Sequence, residues 1–323
     1  MSEAIDGSMG LDQDTRRFAF PHPDHGVEGH QASIYAIDLK PPYLLSGSAD
    51  RTIKIWDVQT QRIIRGPLIG HEGSSTDASI IIWRFSTGEL VERIVKSHEE
   101  TVLDLCFDDK YLVTGSKNKS VKIWSRPSTF EAELVGTLDL HGAAVNVVLT
   151  QKQTDGSRIL FTGSGDHTIS MWSLRHSGSE LETNHVRNFT THRTGIAAMD
   201  VFGDQLISGS SDNAVKIHDI HAGTTIASLE GHTNLIRTVQ VIAGANGLST
   251  VVSGSYDGTI RFWRRSKHET DAGSLPQQWS EVDRLEYDGA NNPESTDAEL
   301  AKRFGEGKRI FDLRVSSHGG HTK

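Results

Sequence analysis

The sequence predicts an all-β protein assembled from tandem copies of one short sheet unit. Three observations predict it. The stretch Leu45-Ser46-Gly47-Ser48-Ala49-Asp50-Arg51-Thr52-Ile53-Lys54-Ile55-Trp56-Asp57 recurs down the chain, and self-similarity at a fixed period marks a repeat architecture. Each copy ends in a short run where β-branched residues alternate with polar ones, as in Ile53, Ile55 and Val121, Ile123 around Lys54 and Lys122, which is strand patterning. The 323 residues include 31 glycines but only 8 prolines, a balance that favours many tight turns.

The copies justify the elements in order. After the first come Thr114-Gly115-Ser116 running to Trp124, and Thr162-Gly163-Ser164-Gly165-Asp166 running to Trp172. Then follow Ser208-Gly209-Ser210-Ser211-Asp212 to His218-Asp219, and Ser253-Gly254-Ser255-Tyr256-Asp257 to Trp263. Their ends lie at 56, 124, 172, 218 and 263, the last three intervals being 48, 46 and 45 residues. A histidine precedes each copy: His30, His98, His141, His192 and His232. The gap from histidine to tryptophan, or its substitute, is 26, 26, 31, 26 and 31 residues.

This spacing resembles the WD40 repeat over most of residues 29–264. The resemblance implies a β-propeller, in which each repeat folds into a four-stranded blade and the blades close a ring that protects their edges. It also implies a structural network of His, Ser or Thr, Asp and Trp in each blade. The full sets are His30, Ser46, Asp50, Trp56; His141, Thr162, Asp166, Trp172; and His232, Ser253, Asp257, Trp263. Two sets depart from the pattern. Asn118 replaces Asp beside His98, Thr114 and Trp124, and His218 replaces Trp beside His192, Ser208 and Asp212, so those two networks are expected to hold less well.

Two blades are expected to be incomplete in a seven-bladed plan, with a six-bladed ring as the alternative. Gly70-His71 opens a second repeat and Asp77 to Trp83 closes it, yet His71 and Trp83 are only 12 apart. The missing stretch, roughly fourteen residues, is about what an inner strand, a turn and a second strand need. At the other end, Arg309 to Val315 reads as the inner strand of a new repeat. The expected organisation is a tail over 1–28, with 16–20 giving an outer strand to the last blade; blades over 29–266; an outer strand plus polar loop over 267–308, with a capping box at Thr296–Glu299; and a partial last blade with a disordered tail over 309–323.

Composition narrows the function. A net charge of −9 disfavours non-specific attraction to phosphates, so no nucleic acid is expected as partner. The longest apolar run, Ile80-Ile81-Ile82-Trp83, is far short of a membrane span. Residues 1–14 show no secretory signal, and the single cysteine suits a reducing compartment, so the cytoplasm, the nucleus or both are expected. Cys106, between Leu105 and Phe107, reads as a core thiol rather than a nucleophile. The sixteen histidines invite metal or triad chemistry, but the repeat explains most of them, and Ser-His-Asp sets held in every blade fail as triads through repetition alone. His318 and His321 read as a Gly-rich tail, and no glycine run carries a phosphate-loop ending. No enzyme activity, metal or cofactor is expected.

Segments such as Gly231-His232-Thr233-Asn234-Leu235-Ile236-Arg237 and Ile80 to Glu89 look like the WD domains of fungal F-box/WD-repeat proteins, the substrate receptors of cullin-based ubiquitin ligases. That resemblance implies a propeller that holds a protein or peptide, such as a phosphorylated degron, with ubiquitin-ligase components as further partners. No F-box is expected in the roughly 28 residues before the first repeat, and a non-enzymatic scaffold unrelated to ubiquitin is the alternative. Degron contacts in such receptors come from two rim positions per blade. Carried over, these are Tyr35, Leu103, Asn146, Ala197 and Arg237, then Ala49, Lys117, Gly165, Ser211 and Tyr256. Arg237, Tyr35, Lys117, Tyr256 and Asn146 are the expected contact residues. With only Arg237 and Lys117 cationic, a neutral or mixed peptide is favoured over a phosphopeptide.

Overall fold

The structure is a computed structural model that describes residues 21, 23–40, 42–71, 78–125, 132–177, 180–242, 249–265 and 279–286. After a short 3-10 segment, Pro23–Glu28, every described element is a strand. Blade one contains β1 (Ile34–Lys40), β2 (Tyr43–Ser48), β3 (Thr52–Asp57), β4 (Arg62–Ile63) and β5 (Leu68–Ile69); the last two both pair with β3, as one outer strand broken in two. Among the described residues blade two is the antiparallel pair β6 (Ile80–Trp83) and β7 (Leu90–Ile94).

Four complete blades follow, each an antiparallel sheet of four strands in sequence order. Blade three is β8 (Val102–Phe107), β9 (Tyr111–Ser116), β10 (Val121–Ser125) and β11 (Glu133–Leu138). Blade four is β12 (Val145–Lys152), β13 (Arg158–Ser164), β14 (Ile169–Ser177) and β15 (Glu180–Phe189). Blade five is β16 (Ile196–Phe202), β17 (Gln205–Ser210), β18 (Val215–Asp219) and β19 (Thr225–Leu229). Blade six is β20 (Ile236–Ile242), β21 (Thr250–Ser255), β22 (Thr259–Arg265) and β23 (Trp279–Glu286). The expected strands at 16–20 and 309–315 and the capping box at 296–299 lie outside the described residues.

The repeated Gly-Ser-x-Asp words build the turn between the second and third strands. The serine hydroxyl accepts the amide of the residue two further on, at 3.1 Å from Asp50, Asp166 and Asp257 alike. The next residue is forced into the left-handed region: Arg51, Lys119, His167, Asn213 and Gly258 all have φ between 67° and 81°. A non-glycine residue is uncommon there. The turn aspartate holds it by accepting the amide beyond, as from Thr52 at 2.9 Å and Thr168 at 3.0 Å.

The core lies between blades. Val113, Ile123, Val145, Val148 and Leu160 form one cluster across blades three and four. Phe161, Ile169, Ile196 and Leu206 join blades four and five, and Ile207, Ile217, Ile236 and Val239 join five and six. The blade-two pair packs through Ile80 and Ile94 on Leu112 and Trp124 of blade three. In each complete junction a glycine on the second strand admits the first residue of the next inner strand. A β-carbon on Gly115 would lie 2.8 Å from Val145, on Gly163 2.8 Å from Ile196, and on Gly209 2.5 Å from Ile236.

Candidate partner-binding rim

The inner strands position the rim. In blade one and in the four four-stranded blades the pairing of first and second strands slips by one residue at the start: between Ile34 and Ala36, Val102 and Asp104, Val145 and Val147, Ile196 and Ala198, Ile236 and Thr238. The residues at these β-bulges are Tyr35, Leu103, Asn146, Ala197 and Arg237. A bulge re-aims one side chain out of the pleat, so the fold presents one freely chosen side chain per blade. Tyr35 is exposed, as is Leu103. Arg237 and Asn146 are half-buried and reach across the junction with blade five. Arg237 donates a long bond, 3.5 Å, to Ala197 O, and the Asn146 amide donates to Ile196 O at 2.8 Å. In the turns, Lys117 is exposed and pairs loosely with Glu100 at 3.4 Å, while Tyr256 is half-buried.

Beneath the rim each histidine is locked. His30 bonds Asp50 through Nδ1 at 2.8 Å and Ser46 through Nε2 at 2.7 Å, and the Trp56 indole donates to Ser46 at 2.8 Å. An indole can only donate, so the serine must give its own proton to Nε2, and Nδ1–H must point to the aspartate. His141, Thr162, Asp166 and Trp172 repeat this, as do His232, Ser253, Asp257 and Trp263. Burial pushes the Asp166 and Asp257 carboxyls up, but hydroxyl and amide donors outweigh it and hold both at about 2.

The two departing sets also form unbroken hydrogen-bond chains. In blade three His98 meets Thr114 at 2.8 Å and Ser120 at 3.0 Å, and Ser120 donates on to Asn118 at 2.8 Å, so a serine relays where a carboxylate would sit. In blade five Asp212 and Ser208 hold His192, and His218 Nε2 lies 2.8 Å from Ser208. Ser208 has one proton to give, to His192, so His218 must donate from Nε2, as an indole would. Thr225, 3.2 Å from Nδ1, supplies the remaining bond.

These histidines are buried neutral. Burial, helped by the Lys122 charge, pulls His98 down to about 4; burial, with the His192 and Lys216 charges, pulls His218 down to about 3. In the unfolded chain both would protonate near 6.5. A depressed folded value means that stability is complete above 6.5 and is lost as pH falls towards the folded value. Between pH 7 and pH 5 each should cost about 2 kcal/mol. Urea midpoints at the two pH values test this, and His218→Gln should flatten the dependence.

A cationic contact in the same layer escaped the reading of the sequence. Lys54 donates to the carbonyls of Glu28 and Gly29, both at 2.7 Å, Lys122 donates to Ser97 O at 2.7 Å, and Lys216 to Thr191 O. Each ties the third strand to the carbonyl before its histidine. The available signal was lysine two residues before the tryptophan position, which alternation alone reads as outward-facing. Cys106 is partly buried in the blade-three cluster; burial, aided by Asp104, pushes its thiol up to about 12, which leaves no thiolate at neutral pH. Among the described residues no group of three or more His, Cys, Asp or Glu side chains could hold a metal, and no helix is long and apolar enough to cross a membrane.

Blades of this order, with an indole-serine-histidine lock under a rim of bulge residues, define a β-propeller of tandem Trp-Asp repeats. The family profile described as WD domain, G-beta repeat matches residues 22–57, 89–125, 132–173, 183–219 and 223–264, more than half of the sequence, and the chain belongs to this WD40 family. It is 28% identical over 291 residues to the nuclear distribution protein PAC1 of Arthroderma otae, covering 75% of this chain and 61% of that protein. It is 27% identical to the nuclear distribution protein nudF of Aspergillus niger, over 74% of this chain and 51% of that one. It is also 25% identical to the DENN domain and WD repeat-containing protein SCD1 of Arabidopsis thaliana, over 72% of this chain and 19% of that protein. The chain thus spans about half to three fifths of the two nuclear distribution proteins. The crystal structure of the computationally designed Ika8 protein superposes with a TM-score of 0.56 at 25% identity, over 73% of this chain and 72% of that one. None of these relatives is named as an F-box protein.

Proposed function

We propose that this chain is a non-catalytic WD-repeat scaffold that grips another protein on its bulge rim, in the cytoplasm or the nucleus. One observation carries the reading. The side chains able to do chemistry recur as structure in blades one, three, four, five and six, while the bulge position changes from Tyr35 to Leu103, Asn146, Ala197 and Arg237. Repetition below and variety above is the arrangement of a recognition surface, because anchors such as Tyr and Arg concentrate binding energy. The naming of relatives as nuclear distribution and WD-repeat proteins supports a scaffold rather than the ubiquitin-ligase receptor suggested by local wording.

Affinity capture with tagged chain tests it. Arg237→Ala should cut recovery of the partner several-fold and leave the melting temperature nearly unchanged, because the long bond to Ala197 O contributes little. Equal recovery by mutant and wild type would remove the rim from consideration. Stoichiometric recovery of cullin-adaptor subunits would overturn the scaffold reading.

A further inference from the structure

Blades four, five and six each join their predecessor through one repeated joint. Val145, Ile196 and Ile236 enter the notches at Gly115, Gly163 and Gly209. Three residues on, Val148, Met199 and Val239 pack back against the earlier blade, and all three are buried. At two of these joints a carboxylate on the earlier blade accepts an amide of the next inner strand: Asp104 from Val148 at 2.9 Å, and Asp200 from Val241 at 2.7 Å.

Blade one carries the receiving half of this joint on the side facing blade two. Gly47 is paired with Ala36 as Gly209 is with Ala198, and Asp38 is paired with Leu45 as Asp200 is with Ile207. Among the described residues nothing of a neighbouring blade fills it. Among the described residues a β-carbon on Gly47 would meet only Ala36 of its own blade, at 3.9 Å. Asp38 has no hydrogen-bond or ion-pair partner among the described residues. Across the gap, β8 turns Leu105, 42% exposed, to the side where Val148 is 3% exposed in blade four. Between them stands β6, whose one partner among the described strands is β7.

We propose that this slot, between blades one and three, takes a β-hairpin donated by a partner protein. A β-branched residue fills the Gly47 notch, and an apolar residue three positions later packs against blade one. A backbone amide satisfies Asp38, and the hairpin's second strand pairs with the inner edge of β6, as in strand addition. The apolar wall of Leu105 covers the other face. The Asp38 carboxylate, with no partner among the described residues, selects against an acidic side chain beside it and for an amide or a cation. The docking surface continues the interface the molecule already builds three times. It rests on the reading of the chain as a protein-binding propeller, but uses a surface separate from the bulge rim.

The probe is a labelled synthetic peptide of residues 194–211, the β16–β17 hairpin of blade five, titrated onto the full chain by fluorescence anisotropy. Saturable binding is expected, with a rise in melting temperature. Gly47→Val, which the free chain accommodates, should weaken binding at least tenfold, and Ile196→Asp in the peptide should do the same. No saturable binding, or binding indifferent to Gly47→Val, would overturn the slot even where Arg237→Ala still impairs partner capture. Light scattering that shows wild-type dimers but Gly47→Val monomers would assign the slot to a second copy. Peptide binding that appears only after removal of residues 309–323 would assign it to the chain's own tail. Either result overturns a partner as occupant.

Discussion

Gly209→Val is expected to lower the unfolding free energy by at least about 3 kcal/mol, whereas Gly47→Val at the matching position should change it by less than about 0.5 kcal/mol. At Gly209 a β-carbon would lie 2.5 Å from Ile236 Cγ2 and 3.0 Å from both Ile236 Cβ and Val239 Cγ1. All three belong to short, branched side chains held in the core between blades five and six, so none can swing aside. Relief would require the inner strand to shift and would break the Asp200 bond to Val241. At Gly47 the nearest atom among the described residues is Ala36 Cβ at 3.9 Å, ordinary van der Waals contact. Urea midpoints at constant slope provide the comparison. Similar losses at the two glycines would mean that the notch in blade one is already filled.

His218→Trp, the substitution that restores the family residue, is expected to destabilise by about 2 kcal/mol on its own and to be nearly neutral when combined with Phe189→Leu. The reason is a compensation across the blade junction. Trp124 packs in one cluster with Ile94, Trp172 with Leu138, and Trp263 with Leu229. The residue that stands in that place beside His218 is Phe189, with ring centroids 5.4 Å apart. The smaller imidazole is matched by a larger neighbour, so an indole put back into this space is overpacked. Phe189→Leu alone should cost about 1 kcal/mol through the cavity it leaves. A double-mutant cycle by thermal melts measures the coupling, and additive losses would sink the compensation.

Residue spacing carried the repeat, and the WD40 resemblance built on that spacing implied the four-stranded blade and the members of each lock. These depend on local chemistry: a Gly-Ser-x-Asp turn closes on its own serine and aspartate, and a histidine 16 or 21 residues before a Ser or Thr meets it across one sheet. The short gap between His71 and Trp83 likewise announced half a blade, and only β6 and β7 are described there. Less legible was how the departing sets would behave. The relay through Ser120 and the donation from His218 depend on hydroxyls whose partners the motif does not name.

What the sequence determined by itself is therefore the unit: its strands, turns and buried polar lock, all set by neighbours within one sheet. What only the tertiary structure decided is how unit meets unit. The pairing of Phe189 with His218, the reach of Arg237 to Ala197 O, and the notch at Gly47 that no described residue fills all involve contacts across blades or the lack of them. Packing between sheets depends on volumes and directions of side chains far apart in the chain, and periodicity in one strand carries no record of what stands opposite it.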